Sequence, residues 1–256
     1  MNEVTQLRSP LRRRTGALVA LGLLGVATLL LQPVPAALLQ AQPGLAQMPV
    51  WALKLLVLVN PTVLLFVAAF CGALAAHRVG LSSLLAGTAH MAGAAKAWAQ
   101  AAALGLVTGA LLVALDLALA PWVGPSWDQF LRNASQPSPQ GLLMGVLYGG
   151  ITEEILMRWG LMSGVAWAIW VLTGKHRIGP ALLVAASLIA LVFGAAHLPA
   201  LAAQVELTHV IVVRTVLLNG LAALVYAWVF WRYHLEAAML SHACSHLAMA
   251  AVWELS

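Results

Sequence analysis

Residues 153–158 read Glu-Glu-Ile-Leu-Met-Arg, and they place three charges inside an apolar run that covers residues 141–173. A charge at that depth in a membrane costs several kcal/mol unless it faces a bundle interior or a wet cavity. Glu154 and Arg158 are four residues apart, so an α-helix places them on one face, where they can pair. Glu153 is rotated by about 100° from Glu154 at 3.6 residues per turn. One carboxylate can therefore be held by the arginine while the other points elsewhere.

The composition around this stretch is that of a membrane protein. Of the 256 residues, 62% are hydrophobic and only 8% are charged, a balance that excludes a soluble domain. The net charge of +5 does not indicate a nucleic-acid partner, because the basic residues lie in short clusters between apolar runs. We therefore expect the protein to lie in the lipid bilayer and to have no nucleic-acid partner.

Seven apolar runs predict the fold class: an all-α, polytopic membrane helical bundle of seven to eight transmembrane helices. The fourth run would be about 50 Å long as one helix, more than the roughly 30 Å hydrocarbon core. It must either tilt and protrude, or break near Gly160 or Gly164, which would give the eighth helix. The runs cover residues 16–39, 50–76, 98–120, 141–173, 178–197, 208–231 and 235–253.

The basic clusters predict the orientation. They alternate with the apolar runs so that all fall on one side, which the positive-inside rule makes cytoplasmic. The protein is thus expected in the cell membrane as a multi-pass protein with a cytoplasmic N-terminus.

Residues 15–39 are either a retained span or a cleaved signal, and an apolar stretch of about 24 residues favours the retained span. Three regions follow: a basic N-terminus (1–14), N-terminal membrane helices (15–139) and a C-terminal membrane core (140–256).

Three histidines lie in late apolar runs. His242 and His246 are four residues apart and share a helix face, and Phe193 is four residues before His197, so its ring can support that imidazole. A single histidine in a membrane helix is often only a hydrogen-bonding partner for another helix. Three histidines together with Glu153, Glu154 and Arg158 must all avoid contact with lipid. Placing them in one polar pocket is the arrangement of lowest free energy.

Such a pocket suits peptide hydrolysis. A carboxylate in an apolar cavity can take a proton from water, and histidines can orient that water or donate to a developing oxyanion. The same groups could instead hold zinc with one open position, which needs three protein ligands and a water. The residue types leave both routes open.

Three motifs carry a family resemblance, and together they cover roughly residues 140–253. The sequence resembles the CPBP family of CAAX-processing and bacteriocin-processing (Abi) intramembrane proteases, which includes the Rce1-type prenyl endopeptidases. The motifs are Glu153-Glu154 with Arg158, Phe193 with His197, and His242 with His246.

The resemblance implies a role for each motif residue. Glu153 would activate water together with His197, Glu154 and Arg158 would hold the geometry, and His242 and His246 would stabilise the oxyanion. It also implies a glutamate-dependent mechanism with no cofactor. The family usually has Asn or Asp where this chain has His246, which adds a potential metal ligand. A zinc form would use Glu153, His197, His242 and His246.

The expected partner is a peptide or the C-terminal tail of a membrane protein, whether prenylated or not. Two other functions remain open from the residues alone. One is a non-catalytic CPBP-like scaffold or self-immunity protein. The other is a transporter or proton path, which would predict inverted repeats that the sequence does not show.

Overall fold

A computed structural model describes residues 10–89, 94–124, 127, 130 and 138–255, and the regular structure in this part of the chain is all helical, without strands. The first nine residues of the predicted basic N-terminus lie outside the described residues. In this part of the chain the α-helices are α1 (Leu11–Thr28), α2 (Ala36–Ala41), α3 (Val50–Ala75), α4 (Ala94–Val123), α5 (Pro139–Met144), α6 (Ser163–Leu172), α7 (Ile178–Ala196), α8 (Leu198–Ala202), α9 (His209–Arg232) and α10 (Leu235–Leu255). Short 3-10 turns cover Leu29–Leu31, Pro43–Gln47 and Ala76–Val79.

The predicted helical bundle is confirmed. Within the described residues, six helices are long and apolar enough to cross a membrane. The 21-residue helix α10 is long enough to be a seventh, at about 31 Å, but it carries two histidines, two serines and two glutamates. The first apolar run does not stay helical to residue 39, because Pro33 and Pro35 follow the end of the first helical stretch at Leu31.

The fourth span is one continuous helix from Pro139 to Leu172, which we call the carboxylate helix. The alternative of a break near Gly160 or Gly164 is therefore wrong. Its middle departs from the α-helix: Gly145–Glu153 and Ile155–Met162 are π-helical, with Glu154 between them. π-Helical turns are rare and occur mostly at functional sites. The wider turn changes the rotation from one residue to the next, so the 3.6-residue period does not apply at the two glutamates.

Close packing of α4 against α10 fixes which side of α10 faces the bundle interior. A Cβ added at Gly105 or Gly109 would overlap the carbonyl oxygens of Ser241 and Ser245. Small residues let membrane helices approach at this distance. The backbone of α10 at the two serines thus lies against α4, and the His246 ring lies against the carboxylate helix at Gly145 and Gly149.

Helix α1 packs on the opposite side of the carboxylate helix. The Thr152 hydroxyl donates a 2.7 Å hydrogen bond to the carbonyl of Gly22, and both residues are buried. A Cβ at Gly25 would overlap the backbone of Leu147. The first helix therefore supports the backbone at the residue that precedes Glu153.

Contacts between helix ends bring several basic clusters to one end of the bundle. Arg14 donates to the carbonyl of Ala73 at 2.9 Å, and Arg78 lies over the Trp167 ring at 4.9 Å. The loop after α3 meets the start of α10, where Ser83 donates to Glu236 at 2.6 Å. The predicted alternation of the spans is consistent with these contacts.

Candidate active site

Glu154 is the most buried of the predicted site residues, with 0% of its surface exposed. Its Oε2 lies 3.2 Å from Nε of Arg158, which is the predicted pair four residues apart. Its Oε1 lies 2.8 Å from Nδ1 of His242. A buried carboxylate must be paired and hydrogen-bonded to be tolerated, and these two partners supply both requirements.

Arg158 is held on several sides. Its guanidinium donates to the carbonyl of Ala223 at 3.2 Å and lies 4.8 Å from the Phe193 ring and 5.3 Å from the Tyr226 ring. Aromatic faces attract a cation more strongly when it is desolvated. The arginine thus ties the carboxylate helix to α7 and α9, with Glu154 as its counter-ion.

His242 and His246 lie side by side on α10. Their ring centroids are 5.0 Å apart with an 18° angle between the planes, and His242 also stacks on Tyr226 at 4.3 Å. A carboxylate that is ionised only accepts hydrogen bonds, so Nδ1 of His242 is the donor toward Glu154. The other nitrogen of that ring, Nε2, is turned away from the carboxylate.

His197 comes from the end of α7. Its Nδ1 lies 2.8 Å from the carbonyl of Phe193, and the two rings pack edge to face at 4.7 Å. Because a carbonyl only accepts, Nδ1 carries the hydrogen and Nε2 has a free lone pair when the ring is neutral. Helix α8 follows directly, so the candidate membrane span continues past His197 to Ala202.

Glu153 differs from its neighbour in its surroundings. It is half-buried, and in the described part of the chain it makes no hydrogen bond or ion pair. Its charge interacts electrostatically with Arg158, Glu154, Tyr148 and Tyr226. Of the two adjacent glutamates, Glu154 is therefore paired, and Glu153 is unpaired within the described residues.

The donor groups do not form a zinc site of the usual kind. Among the described residues, no three His, Cys, Asp or Glu side chains are grouped so that they could hold a metal ion. A catalytic zinc needs three protein ligands. The described residues thus do not fit the zinc form of the site.

Sequence reasoning missed Tyr226 and Ser245. The Tyr226 ring stacks on His242, and its hydroxyl lies 2.5 Å from the hydroxyl of Ser245. Ser245 in turn donates to the carbonyl of His242 at 2.7 Å. A tyrosine well inside an apolar run needs a partner for its hydroxyl, and that signal could have indicated this position.

The site lies within a segment that matches a known family. Residues 136–248 match the family model described as Type II CAAX prenyl endopeptidase Rce1-like. The match covers less than half of the chain, and we call residues 136–248 the Rce1-like segment. The resemblance read from the three motifs is thereby confirmed, and the Rce1-like segment is that of a multi-pass membrane protease family. Neither the curated proteins nor the solved structures give a match to this chain.

All six predicted site residues lie in the Rce1-like segment, and contacts in the fold join five of them. Glu154, Arg158, His242 and His246 form a continuous chain of contacts. Phe193 joins that chain to His197, because its ring also lies 5.9 Å from the His242 ring. The roles of these residues in a reaction remain predictions.

Proposed function

We propose that this protein is an intramembrane endopeptidase that hydrolyses a peptide bond with water activated by Glu153. The observation that carries the proposal is the different pairing of the two adjacent glutamates. Glu154 is committed to Arg158 and His242, whereas Glu153 is unpaired within the described residues. A general base must be free to accept a proton, and only the unpaired carboxylate is.

The proposed reaction has two steps. Glu153 removes a proton from water, and the water oxygen bonds to the scissile carbonyl carbon, whose oxygen becomes an oxyanion. The C–N bond then breaks, and the protonated Glu153 returns its proton to the leaving nitrogen. The free Nε2 of His197 accepts a hydrogen bond from the same water and orients it, which the Nδ1–H bond to Phe193 makes possible.

His242 and His246 stabilise the oxyanion in this proposal. Because Nδ1 of His242 donates to Glu154, Nε2 of the neutral ring is an acceptor. His246 is therefore the imidazole that donates to the oxyanion, and His242 positions it by stacking on its ring. Hydrogen-bond donors aimed at a developing oxyanion are the largest single contribution in many acyl-transfer enzymes.

The substrate is proposed to be the membrane-proximal tail of a membrane protein or a short apolar peptide, since the site lies among membrane spans. The Rce1-like match brings a CAAX-type C-terminus into consideration. We therefore expect a peptide library ending in apolar residues, offered with and without a farnesylated cysteine, to contain a cleaved sequence.

The test is cleavage of that library by the detergent-purified protein in H₂¹⁸O, read by mass spectrometry. Wild type is expected to place one ¹⁸O in the new carboxyl group. Glu153→Gln and Glu153→Ala are expected to lose about 100-fold or more in kcat, the range of general-base catalysis, while their thermal unfolding stays that of wild type. Equal cleavage by wild type and Glu153→Gln would remove Glu153 from its role. Absence of cleavage by every sequence would favour the scaffold or self-immunity function.

A further inference from the structure

We propose that Arg14, His77 and Arg78 form a binding site for a phosphate group, and that the headgroup of an anionic lipid supplies it. Arg14 lies in the first turn of α1, and the other two residues lie in the 3-10 turn that follows α3. None of the three belongs to the candidate active site. The site would join α1, α3 and the carboxylate helix at one end of the bundle.

The first observation is an enclosed cation. Only 7% of Arg14 is exposed, and its Nη1 donates to the carbonyl of Ala73 at 2.9 Å, in the last turn of α3. Its Nε is buried and has no hydrogen-bond partner among the described residues. A helix C-terminus carries about −0.5 of an elementary charge, so it offsets only half of the arginine charge. A guanidinium that is enclosed by protein needs an opposite charge.

The second observation is that more positive charge converges on the same place. His77 interacts electrostatically with both Arg14 and Arg78. In the described part of the chain, none of these three side chains forms an ion pair, and the acids that are paired there are bonded to other cations. The two arginines and the end of α3 together leave a charge of about +1.5 without a counter-ion.

The third observation concerns access and depth. Arg78 is exposed and His77 is half-buried, so a ligand can contact both side chains while the charge of Arg14 acts from behind them. The Arg78 guanidinium lies 4.9 Å from the ring of Trp167 on the carboxylate helix. Tryptophan is enriched at the level of the lipid headgroups, where basic pockets between membrane helices bind anionic headgroups. Guanidinium groups bind phosphate through charge-assisted hydrogen bonds.

The test is thermal unfolding of the full-length protein in a neutral detergent while phosphatidylglycerol is added to the micelles. A ligand that binds the folded state raises Tm, and near saturation we expect a rise of about 3 °C or more for wild type. Arg14→Gln and Arg78→Gln are expected to show at most a third of that rise. Because Arg78 is exposed, its variant tests the site even where Arg14→Gln fails to fold.

Arg177→Gln is the matched control. Arg177 is exposed between α6 and α7, so this variant removes one positive charge outside the cluster and is expected to keep the wild-type rise. Equal reductions in Arg78→Gln and Arg177→Gln would overturn the proposal, because general attraction to anionic micelles would explain both. The absence of any rise in wild type would overturn it as well, and so would an equal rise with phosphatidylcholine, which has no net charge.

Sodium phosphate at constant ionic strength distinguishes the two sources of the phosphate group. A rise with lipid alone that depends on Arg78 assigns the site to a headgroup. The same dependence with sodium phosphate alone upholds the site and assigns it to free phosphate. The measurement needs no cleavage, so its failure is independent of a failure of the proposed function.

Discussion

Nδ1 of His242 lies 2.8 Å from Oε1 of Glu154, a contact between residues 88 positions apart in the chain. It joins the first motif, which contains Glu154, directly to the third, which contains His242. Both oxygens of the Glu154 carboxylate thus have a partner, and this carboxylate acts as a counter-ion. The adjacent Glu153 keeps its carboxylate unpaired in the described structure. Two identical side chains next to each other thus have different chemistry because only one of them is enclosed.

The two glutamates are predicted to differ in stability. Glu154→Gln removes the counter-ion of buried Arg158, and breaking a buried pair costs about 3–5 kcal/mol. Glu153→Gln removes no pair and should leave the free energy of unfolding unchanged. Unfolding in mixed detergent micelles measures both values. Equal destabilisation by the two substitutions would contradict the different pairing of the two acids.

Tyr226 is predicted to act mainly through its ring. Tyr226→Phe loses the hydroxyl contact with Ser245 but keeps the stacking on His242, so it should cost about 1 kcal/mol of stability and little activity. Tyr226→Leu also loses the aromatic face and should lower kcat more, because the imidazole is then free to rotate. Kinetics and unfolding of both variants test this, and a larger loss of kcat in Tyr226→Phe than in Tyr226→Leu would show that the hydroxyl matters instead.

The hydrogen bond from Thr152 to Gly22 is predicted to position the neighbouring Glu153. Thr152→Val keeps the shape and removes the bond, at a cost of about 1 kcal/mol, and it should lower kcat without changing KM. Thr152→Ser should restore both stability and rate. Thr173→Val is the matched control, because its exposed hydroxyl bonds only within its own helix. A wild-type kcat for Thr152→Val would show that α1 does not position the site.

Metal removal is predicted to leave the activity intact. The described donors do not form a three-ligand group, so dialysis against a strong chelator should not reduce cleavage, and metal analysis should find substoichiometric zinc. Loss of activity on chelation, restored by added zinc, would establish the zinc-dependent form of the protease.

The orientation is predicted from the basic clusters. In a background of Cys71→Ser and Cys244→Ser, Lys175→Cys should react with a membrane-impermeant maleimide from the cytoplasmic side. Gly44→Cys, in the loop at the other end of α1, should react from the opposite side. The reverse pattern would invert the topology, while reaction of both from one side would contradict the alternation of the spans.

The sequence by itself predicted the helical bundle, the approximate bounds of most spans, the pairing of Glu154 with Arg158 and the family resemblance of the later residues. These features depend on local quantities: the length and apolarity of each run, and side chains four residues apart on one helix. The carboxylate helix was predicted from residues 141 to 173, and its structure runs from Pro139 to Leu172. Its π-helical middle was not predicted, because residue types alone do not distinguish an i→i+5 from an i→i+4 turn.

The tertiary structure alone decided which glutamate is enclosed, that Tyr226 supports His242, and that the His246 ring packs on Gly149. Each depends on the rotation of one helix against another. That rotation is set by how closely backbones approach at small residues such as Gly105 and Gly109. Apolar runs carry almost no information about it, since every face of a membrane helix is hydrophobic, and only packing selects the face that turns inward.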